Sequence, residues 1–484
     1  MSVIRSPLHQ AASEAPKAIA LFEWQEQWQE GAYLAITYAQ LSAAVTKLAE
    51  QLKQAGLKTG DILTCIDNNS RAMISLYWAC IDIGAIFCPL SPRFPKLQIS
   101  QLAQRYGLNT FWAADEFSSL LPKAGLQLDF SAPATTATTA TTYDAASTNT
   151  LDPKLAANII LTSGSSGQPK AAVHCLANHI ASAQGSASLI PLEQGDNWLL
   201  SLPLFHIGGL AIVNRCALAK AAITLPSPSL SLIEQLRVVP LTHLSLVATQ
   251  LMRIMDKDKA ALSGIKSLLL GGGAIAGSLL DKLTSLNLNA YTSYGMTEMS
   301  SQITTGLATA KGSSGKLLPH RELRIDAKRI LVRGETLFMG YLSDHGGLSF
   351  NLPLNQDNWF DTKDLGYWDE EGNLVIGGRA DNMFVCGGEN VQPEEIEAAL
   401  KRHPQIQDAI VFAMEDKEFG CLPVAIIKGE LSSTEELDAF VCQYIARFKR
   451  PRRYFPWPET ASTGLKVIRK QLIDAVLQAD NSDT

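Results

Sequence analysis

Residues 158–173 read Asn-Ile-Ile-Leu-Thr-Ser-Gly-Ser-Ser-Gly-Gln-Pro-Lys-Ala-Ala-Val, and this stretch decides more about the fold than any other. The apolar residues at its two ends predict two strands, so the Ser/Gly-rich segment between them should join strand to strand. Its glycines let backbone N–H groups approach an anion, and its hydroxyls and lysine can contact phosphate oxygens. An ordinary flexible turn explains the segment equally well when it is considered alone. This candidate phosphate loop consists of Thr162, Ser163, Gly164, Ser165, Ser166, Gly167, Gln168, Pro169 and Lys170.

Outward from the loop, short apolar runs alternate with helix-like segments. Residues 72–90 predict a buried helix that leads into a strand, because Asp82 and Gly84 interrupt the run and argue against a membrane span. A further helix is predicted at 179–190. Alternation of this kind predicts an α/β fold with mostly parallel sheets. Other apolar runs that predict strands lie at residues 198–202, 244–247 and 267–270.

The pattern changes near residue 379, which indicates a domain boundary. Beyond it, residues 393–400 predict a helix, with a proline at its start and acidic residues in its first turn. A strand is predicted at 409–413. We therefore expect a large domain at 1–378 and a small one at 382–484.

Composition excludes several classes of function. The net charge of −6 argues against a general nucleic-acid or membrane-surface binder, which would carry a basic excess. The eight cysteines contain no CxxC pair, which favours free thiols over a disulfide framework or a zinc site. The first residues lead into mixed polar sequence without a signal peptide. We expect a cytoplasmic protein.

Two further segments supply groups that a nucleotide needs. In residues 294–298, Tyr294 can stack on a base, Thr297 can donate to a phosphate oxygen, and Glu298 suits Mg²⁺. The alternative is a strand–turn–helix junction capped by Thr297. Residues 359–366 place two carboxylates, Asp361 and Asp364, in a predicted turn before a glycine, and a carboxylate such as Asp364 can accept both hydroxyls of a ribose. The alternative is a solvated acidic turn.

Taken in order, these segments resemble the adenylate-forming superfamily, which includes acyl-CoA synthetases, firefly luciferase and peptide-synthetase adenylation domains. The resemblance covers nearly the whole chain. It implies a large domain of mixed and parallel sheets flanked by helices, with a barrel-like part, and a small mobile α+β domain that turns about a hinge at 379–381. The matching segments are residues 84–90, 162–170, 203–206, 271–275, 294–298, 334–341, 359–364, 378–381 and 464–469.

The resemblance also implies a reaction and its participants. ATP activates a carboxylic acid as an acyl-adenylate with release of pyrophosphate, Mg²⁺ assists, and the thiol of coenzyme A then displaces AMP. Lys466 would lie between the carboxylate and the α-phosphate, although Leu465 stands where the family has a glycine directly before this lysine. Arg379 would pair with the ribose beside Asp364, and Asp381 would be the hinge. Gly271, Gly272 and Gly273 would lie along the adenine.

Within the superfamily, the chain is similar to the 2-succinylbenzoate–CoA ligases of menaquinone biosynthesis. That substrate has a second carboxylate, which needs a partner when it is buried. Arg215 stands in an apolar stretch and is the candidate partner, with Ser245 as a hydroxyl donor and His206 in the pocket wall. An arginine that extends from a helix to the surface is the alternative. The segments that carry this similarity are residues 168–174, 200–206, 381–384, 387–395 and 416–420.

Two other functions stay open on sequence alone, and a third is disfavoured. The chain could be a CoA ligase for another aryl or fatty acid. It could be an amidase-type hydrolase with Ser165 or Ser166 as nucleophile, which would need no ATP. A non-catalytic homologue is disfavoured because the candidate site residues are retained together. We expect small-molecule partners only, with a homo-oligomer as one possible assembly.

Overall fold

Strands outnumber helices in this fold, which the computed structural model describes over most of the chain. The described residues are 3–25, 32–131, 150–162, 169–271, 277–284, 286, 288–309, 312–344, 347–380, 382–386, 389–416, 420–430, 433–445, 447–458 and 469–482. In chain order, the strands are β1 (Ile4–Arg5), β2 (Ile19–Gln25), β3 (Ala32–Thr37), β4 (Ile62–Ile66), β5 (Ile86–Leu90), β6 (Thr110–Ala113), β7 (Thr150–Leu151), β8 (Ala156–Thr162), β9 (Lys170–Cys175), β10 (Asn197–Leu199), β11 (Ala222–Thr224), β12 (His243–Leu246), β13 (Ser267–Leu270), β14 (Asn289–Met296), β15 (Ser301–Leu307), β16 (Lys316–Leu317), β17 (Arg321–Asp326), β18 (Arg329–Gly334), β19 (Gly340–Leu342), β20 (Phe350–Asn351), β21 (Phe360–Trp368), β22 (Leu374–Arg379), β23 (Phe384–Cys386), β24 (Glu389–Val391), β25 (Ile406–Asp416), β26 (Gly420–Gly429) and β27 (Tyr454–Pro456).

The helices lie between these strands. They are α1 (Pro7–Glu14), α2 (Tyr38–Gln54), α3 (Arg71–Ile83), α4 (Lys96–Tyr106), α5 (Leu176–Ala187), α6 (Ile207–Ala219), α7 (Leu232–Val238), α8 (Ala248–Asp258), α9 (Gly277–Thr284), α10 (Pro393–Leu400), α11 (Thr434–Val441) and α12 (Arg469–Ser482). Short 3₁₀ helices occupy Asp115–Leu120, Lys259–Leu262, Thr297–Met299 and Arg447–Lys449. None of the helices in the described part of the chain is both long and apolar enough to cross a membrane.

Two large sheets contain most of the strands before residue 318, together with β19 and β20. The nine-stranded sheet has the order β16-β15-β14-β13-β12-β10-β11-β2-β3, and its strands from β14 to β2 are parallel. The seven-stranded sheet has the order β20-β19-β9-β8-β5-β4-β6, with a parallel half from β8 to β6. The predicted α/β class is therefore confirmed.

Smaller sheets complete the fold. Strands β17, β18, β21 and β22 form an antiparallel sheet of linear order, and no closed barrel is formed by the strands that the structure describes. Strands β25, β26 and β27 form a three-stranded sheet, with β27 parallel to β26. Two-stranded pairs join β1 to β7 and β23 to β24.

The main core is formed by large side chains from helices and strands of both sheets. Tyr77 and Trp78 on α3 are fully buried, and Tyr77 contacts the ring of Phe87 on β5 at 5.6 Å. Helix α3 begins at its N-cap Ser70 and ends at Gly84, whose left-handed backbone a residue with a Cβ rarely adopts. The predicted helix and strand within residues 72–90 are therefore confirmed.

Other predicted elements differ in their bounds. The helix predicted at 179–190 begins earlier, because Asn178 accepts a hydrogen bond from the backbone N–H of Cys175 and caps the helix there. The run at 198–202 continues as a strand only to Leu199. The acidic segment at 359–366 belongs to strand β21 from Phe360 onward rather than to a turn, with one irregular residue, Lys363, at φ 65°.

Helix α10 lies against the end of β22. Gln392 Nε2 donates to the carbonyl oxygen of Arg379 at 2.8 Å, and Asn382 Nδ2 donates to Glu394 at 2.5 Å. Helix α12 also contacts α10, since Arg469 Nη1 donates to the buried Glu397 carboxylate at 2.6 Å. Arg379 and Asn382, the two residues named here that lie on either side of residue 381 in the sequence, are thus hydrogen-bonded to residues at the start of α10.

Candidate active site

The candidate phosphate loop is carried by a β-hairpin. Thr162 ends β8, Lys170 begins β9, and the two residues are register partners across the antiparallel pair. The prediction that the loop joins two strands is confirmed. The predicted site residues that lie outside the described part of the chain are Ser163, Gly164, Ser165, Ser166, Gly167, Gln168, Gly272, Gly273, Asp381 and Lys466.

The far end of the loop is anchored to helix α4. The carbonyl oxygen of Pro169 accepts a hydrogen bond from Tyr106 Oη at 2.8 Å and another from Arg105 at 3.3 Å. Arg105 also donates to the carboxylate of Asp344 at 2.8 Å. These contacts fix the main chain just before Lys170.

Lys170 and Glu298 both contact the side chain of Tyr341. The ammonium nitrogen of Lys170 lies 4.9 Å from the centre of the Tyr341 ring. Tyr341 Oη donates to Glu298 Oε1 at 2.6 Å. Burial, and next the adjacent carboxylate, raise the pKa of Tyr341, so its hydroxyl stays protonated and can donate. Tyr341 lies in one of the matching segments of the sequence, residues 334–341, but no role was predicted for it.

Glu298 is suited to a hard divalent cation that also binds phosphate. Its side chain is buried, and the described part of the chain contains no cluster of three or more ligating side chains. Mg²⁺ takes few protein carboxylates and completes its octahedron with phosphate oxygens and water. A single buried carboxylate near the lysine of the loop therefore fits Mg²⁺ bound together with a polyphosphate.

The turn that presents Glu298 depends on a glycine. A Cβ on Gly295 would lie 2.1 Å from the carbonyl oxygen of Ser301, so no larger residue fits without a backbone shift. After the 3₁₀ turn Thr297–Met299, the chain reverses into β15, which is antiparallel to β14. The alternative of a helix capped by Thr297 is therefore wrong.

Three residues predicted to bind the nucleotide come together beside this turn. Asp364 accepts a hydrogen bond from Tyr294 Oη at 2.5 Å and another from Arg379 Nη1 at 3.0 Å. Asp364 and Arg379 are register partners on β21 and β22. Burial, and next the Asp364 carboxylate, raise the pKa of Tyr294, which keeps its hydroxyl protonated.

Gly271 follows β13 at the same sheet edge as Tyr294. Its backbone N–H donates to the carbonyl of Leu246 at 3.3 Å, and a Cβ there would lie 3.4 Å from Ser293 Oγ. Because β12, β13 and β14 are parallel, their carboxyl ends meet at one edge. Ligands of open α/β sheets bind at such an edge.

Arg215 is buried rather than extended to the surface, so the alternative of a surface arginine is wrong. Its guanidinium donates to Gln302 Oε1 at 2.6 Å and to Ser301 Oγ at 3.4 Å, and lies 5.5 Å from the centre of the Trp198 ring. Its Nε is buried without a hydrogen-bond partner. Burial lowers the pKa of Arg215 to about 10, and none of the described carboxylates offsets it.

The other two residues predicted to bind the acid lie at different distances from Arg215. Ser245 Oγ accepts a hydrogen bond from the indole nitrogen of Trp198 at 3.1 Å, so Ser245 is joined to Arg215 through that ring. His206 is exposed and immediately precedes α6, about 13 Å of helix rise from Arg215. Its ring contacts Phe205 at 4.9 Å.

A second buried arginine, Arg321, was missed by the sequence analysis. Its guanidinium donates to the carbonyl oxygens of Gln302 at 2.7 Å, Pro319 at 2.6 Å and Ser182 at 3.2 Å. Burial, and next the neighbouring arginine, lower the pKa of Arg321 to about 9. A Cβ on Gly185, in helix α5, would lie 2.0 Å from Arg321 Nη1, so this glycine makes the room. In the sequence, the one indication of this buried arginine was Gly185, a glycine within the helix predicted at 179–190.

Comparison with known proteins identifies the class. The family model of the AMP-binding enzyme matches residues 8–342, and that of the AMP-binding enzyme C-terminal domain matches residues 395–464. The chain belongs to the AMP-binding enzyme family, as the sequence resemblance predicted. The 2-succinylbenzoate–CoA ligase of Haemophilus influenzae is 33% identical over 459 residues, which cover 92% of this chain and 94% of that protein.

Solved structures agree with this relationship. An arginine-to-lysine variant of E. coli MenE with bound OSB-AMS is 30% identical, with a TM-score of 0.82 over 98% of this chain and 99% of that one. The o-succinylbenzoate coenzyme A synthetase (MenE) of Bacillus subtilis, in complex with ATP and magnesium ion, is 26% identical. Its TM-score is 0.81 over 98% of this chain and 100% of that chain.

Proposed function

We propose that this chain is a 2-succinylbenzoate–CoA ligase, which forms an acyl-adenylate from ATP and 2-succinylbenzoate and transfers the acyl group to coenzyme A. This places it in menaquinone biosynthesis. The observation that carries the proposal is a buried arginine, Arg215, that no described carboxylate neutralises, in a fold whose sheet edge gathers groups for a nucleotide. A ligand carboxylate would complete the environment of Arg215.

The nucleotide is assigned to the edge where β13 and β14 end. Asp364 would accept the ribose hydroxyls, with Arg379 holding its carboxylate in place. Tyr294 would lie against the base, and the glycines from 271 to 273 would allow close approach of the backbone. The hairpin loop from Thr162 to Lys170 would grip the phosphates.

The attack of one anion on another needs concentrated positive charge. Bound Mg²⁺, with Glu298 as a ligand, would supply part of this charge by neutralising phosphate oxygens. Thr297 would donate to a phosphate oxygen, and Lys170 adds a charge at the end of the hairpin. Lys466 is assigned to the attacking carboxylate and the α-phosphate, where the new bond forms.

Acid specificity is assigned to the region around Arg215. The carboxylate that is not activated would pair with the guanidinium, whose buried Nε has a free hydrogen-bonding position. Ser245 would support the neighbouring Trp198 ring through its hydrogen bond. His206 is assigned to the wall at the exposed start of α6.

We assign the chain to a large domain at 1–378, a hinge at 379–381 and a mobile domain at 382–484 that carries Lys466. Gly378, at φ 124°, supports a bend just before Asp381. Rotation about the hinge would bring Lys466 to the site in the first half-reaction and a different face for coenzyme A in the second.

We also assign the protein to the cytoplasm. Its eight cysteines are free thiols, as expected in a reducing compartment, and ATP and coenzyme A are its proposed substrates. A homo-oligomer stays a prediction.

A panel of acids tests the proposal, with AMP release measured in the presence of coenzyme A. We expect kcat/KM for 2-succinylbenzoate to exceed that for benzoate or a fatty acid at least about 10-fold, because those acids leave Arg215 without a partner at a cost of about 1.4 kcal/mol or more. Equal values would favour a ligase for another acid. Absence of acid-dependent pyrophosphate–ATP exchange would leave an amidase-type hydrolase as the better explanation.

A further inference from the structure

A chain of buried polar side chains runs from helix α5 to the turn that presents Glu298. His174 Nε2 lies 2.7 Å from the carbonyl oxygen of Thr297. On its other side, His174 Nδ1 faces Asn158 Nδ2 at 3.4 Å, and Asn158 Oδ1 faces His179 Nε2 at 2.6 Å. The three side chains are fully buried.

The direction of every hydrogen bond in this chain follows from its last acceptor. A carbonyl oxygen only accepts, so His174 Nε2 carries the hydrogen and Nδ1 of the neutral ring is an acceptor. Asn158 then donates with its amide nitrogen, and its oxygen accepts from His179 Nε2–H. Nδ1 of the His179 ring then carries no hydrogen, and this buried atom has no hydrogen-bond partner.

Both histidine rings are neutral at ordinary pH. Burial lowers the pKa of His174 to about 4 and the pKa of His179 well below its ordinary value. Two neutral rings joined by an amide form a fixed support that needs no counter-ion.

The elements joined by this chain are the two that would hold the triphosphate. Asn158 and His174 are register partners on β8 and β9, the strands that carry the candidate phosphate loop. Lys170 and His174 are four residues apart on β9 and so share a face of the strand. Lys170 lies over the ring of Tyr341, whose hydroxyl donates to Glu298, and His174 contacts the main chain one residue before Glu298.

We infer that His174 is a positioning residue that fixes the phosphate-loop hairpin relative to the Thr297–Glu298 turn, and so sets the geometry in which ATP and its metal are bound together. The inference rests on the proposed function of Glu298 as a Mg²⁺ ligand. No contact with substrate is assigned to His174, because its side chain is fully buried. Its hydrogen bond acts through Thr297, as partners behind metal ligands do in other sites.

The test compares nucleotide binding in two variants of the full-length enzyme by calorimetry, without acid or turnover. His174→Leu keeps similar size but has no donor, whereas His174→Gln retains an N–H close to the position of Nε2. We expect His174→Leu to weaken binding of ATP with Mg²⁺ about 10- to 100-fold and binding of AMP less than about 3-fold. His174→Gln should restore the affinity for ATP with Mg²⁺ to within about 3-fold of wild type.

His243 provides a matched control. It is equally buried, and its Nε2 lies 3.0 Å from the carbonyl oxygen of Pro191, away from the residues assigned to the nucleotide. His243→Leu should lower stability without changing the ratio of the two affinities. If His174→Leu does not fold, His174→Asn is measured instead, because its side chain is too short to reach Thr297.

The outcomes separate this inference from the proposed function. Wild-type affinity for ATP with Mg²⁺ in His174→Leu, or an equal loss of both affinities there, would overturn the positioning role alone. A wild-type protein that binds no ATP with Mg²⁺ would overturn the proposed function, and the positioning role with it. A selective loss that glutamine restores supports both.

Discussion

Replacing Arg215 by methionine separates the two roles that a buried arginine can have. If the role of Arg215 is to bind a ligand carboxylate, its buried charge destabilises the unliganded protein. An apolar side chain of similar length should then be tolerated. If Arg215 has a structural role, its removal should unfold the protein. The two roles therefore predict different changes in the free energy of unfolding.

The structure sets the size of these changes. Burial lowers the pKa of Arg215 to about 10, and a fall of this size corresponds to about 3 kcal/mol against the charged form. Because the pKa in the folded state lies below that in the unfolded state, this cost is fully present below pH 10 and is relieved only above it. Methionine removes the cost but leaves Gln302 Oε1 without its donor, which costs about 1–3 kcal/mol. We expect the free energy of unfolding at pH 7 to change by less than about 2 kcal/mol.

The assay pairs urea unfolding with steady-state kinetics. Loss of the partner of a buried carboxylate costs about 2–5 kcal/mol, so KM for 2-succinylbenzoate should rise roughly 30-fold or more, with KM for ATP almost unchanged. Arg321→Met is the matched control: three carbonyl oxygens lose their donor there, so we expect a larger loss of stability and less effect on the acid. The reasoning is refuted if Arg215→Met loses more than about 3 kcal/mol of stability while KM for the acid stays the same.

Two further substitutions test the turn and the second domain. Gly295→Ala should fold but lose about 100-fold or more in pyrophosphate–ATP exchange, because its Cβ displaces Ser301. Gly264→Ala, where the nearest atom is 3.7 Å from a Cβ, is the control, and equal activity of the two variants would contradict the steric argument. Lys466→Ala should lower the same exchange about 100-fold or more, while thioester formation from added acyl-adenylate and coenzyme A changes little. Equal loss of both half-reactions would contradict the role of Lys466 in the first alone.

The elements that were predicted well are those whose signal is local. The hairpin around the phosphate loop and helix α10 have flanking residues that mark their ends, and both lie where the sequence placed them. Side-chain direction within an irregular strand was not predictable. Asp361 and Asp364 were expected together in one turn, but Asp364 faces Arg379 whereas Asp361 pairs with Arg329 at 2.6 Å. Side chains that are three residues apart along a strand point to opposite faces of the sheet, so the two carboxylates are separated, whereas a shared turn would have kept them together.

Contacts between distant segments were beyond the sequence. Tyr341 meets Glu298, and Gln302 meets Arg215, only because several strands place them side by side. The local sequence around these residues does not indicate which residues they contact. The candidate site was thus predicted through its resemblance to known motifs, and the side chains between the motifs were found only in the structure.

The room that Gly185 leaves for Arg321 constrains how this protein can change over generations. Glycine within a helix costs about 1 kcal/mol relative to alanine, so alanine at this position would ordinarily be favoured. With Arg321 in place, the first extra carbon would collide with its guanidinium. The order of mutations is therefore restricted, because Arg321 must be replaced before a substitution of Gly185 can stabilise the helix. A homologous sequence with a larger residue at the position of Gly185 should lack the buried arginine, which makes the pair a marker for sorting relatives by sequence alone.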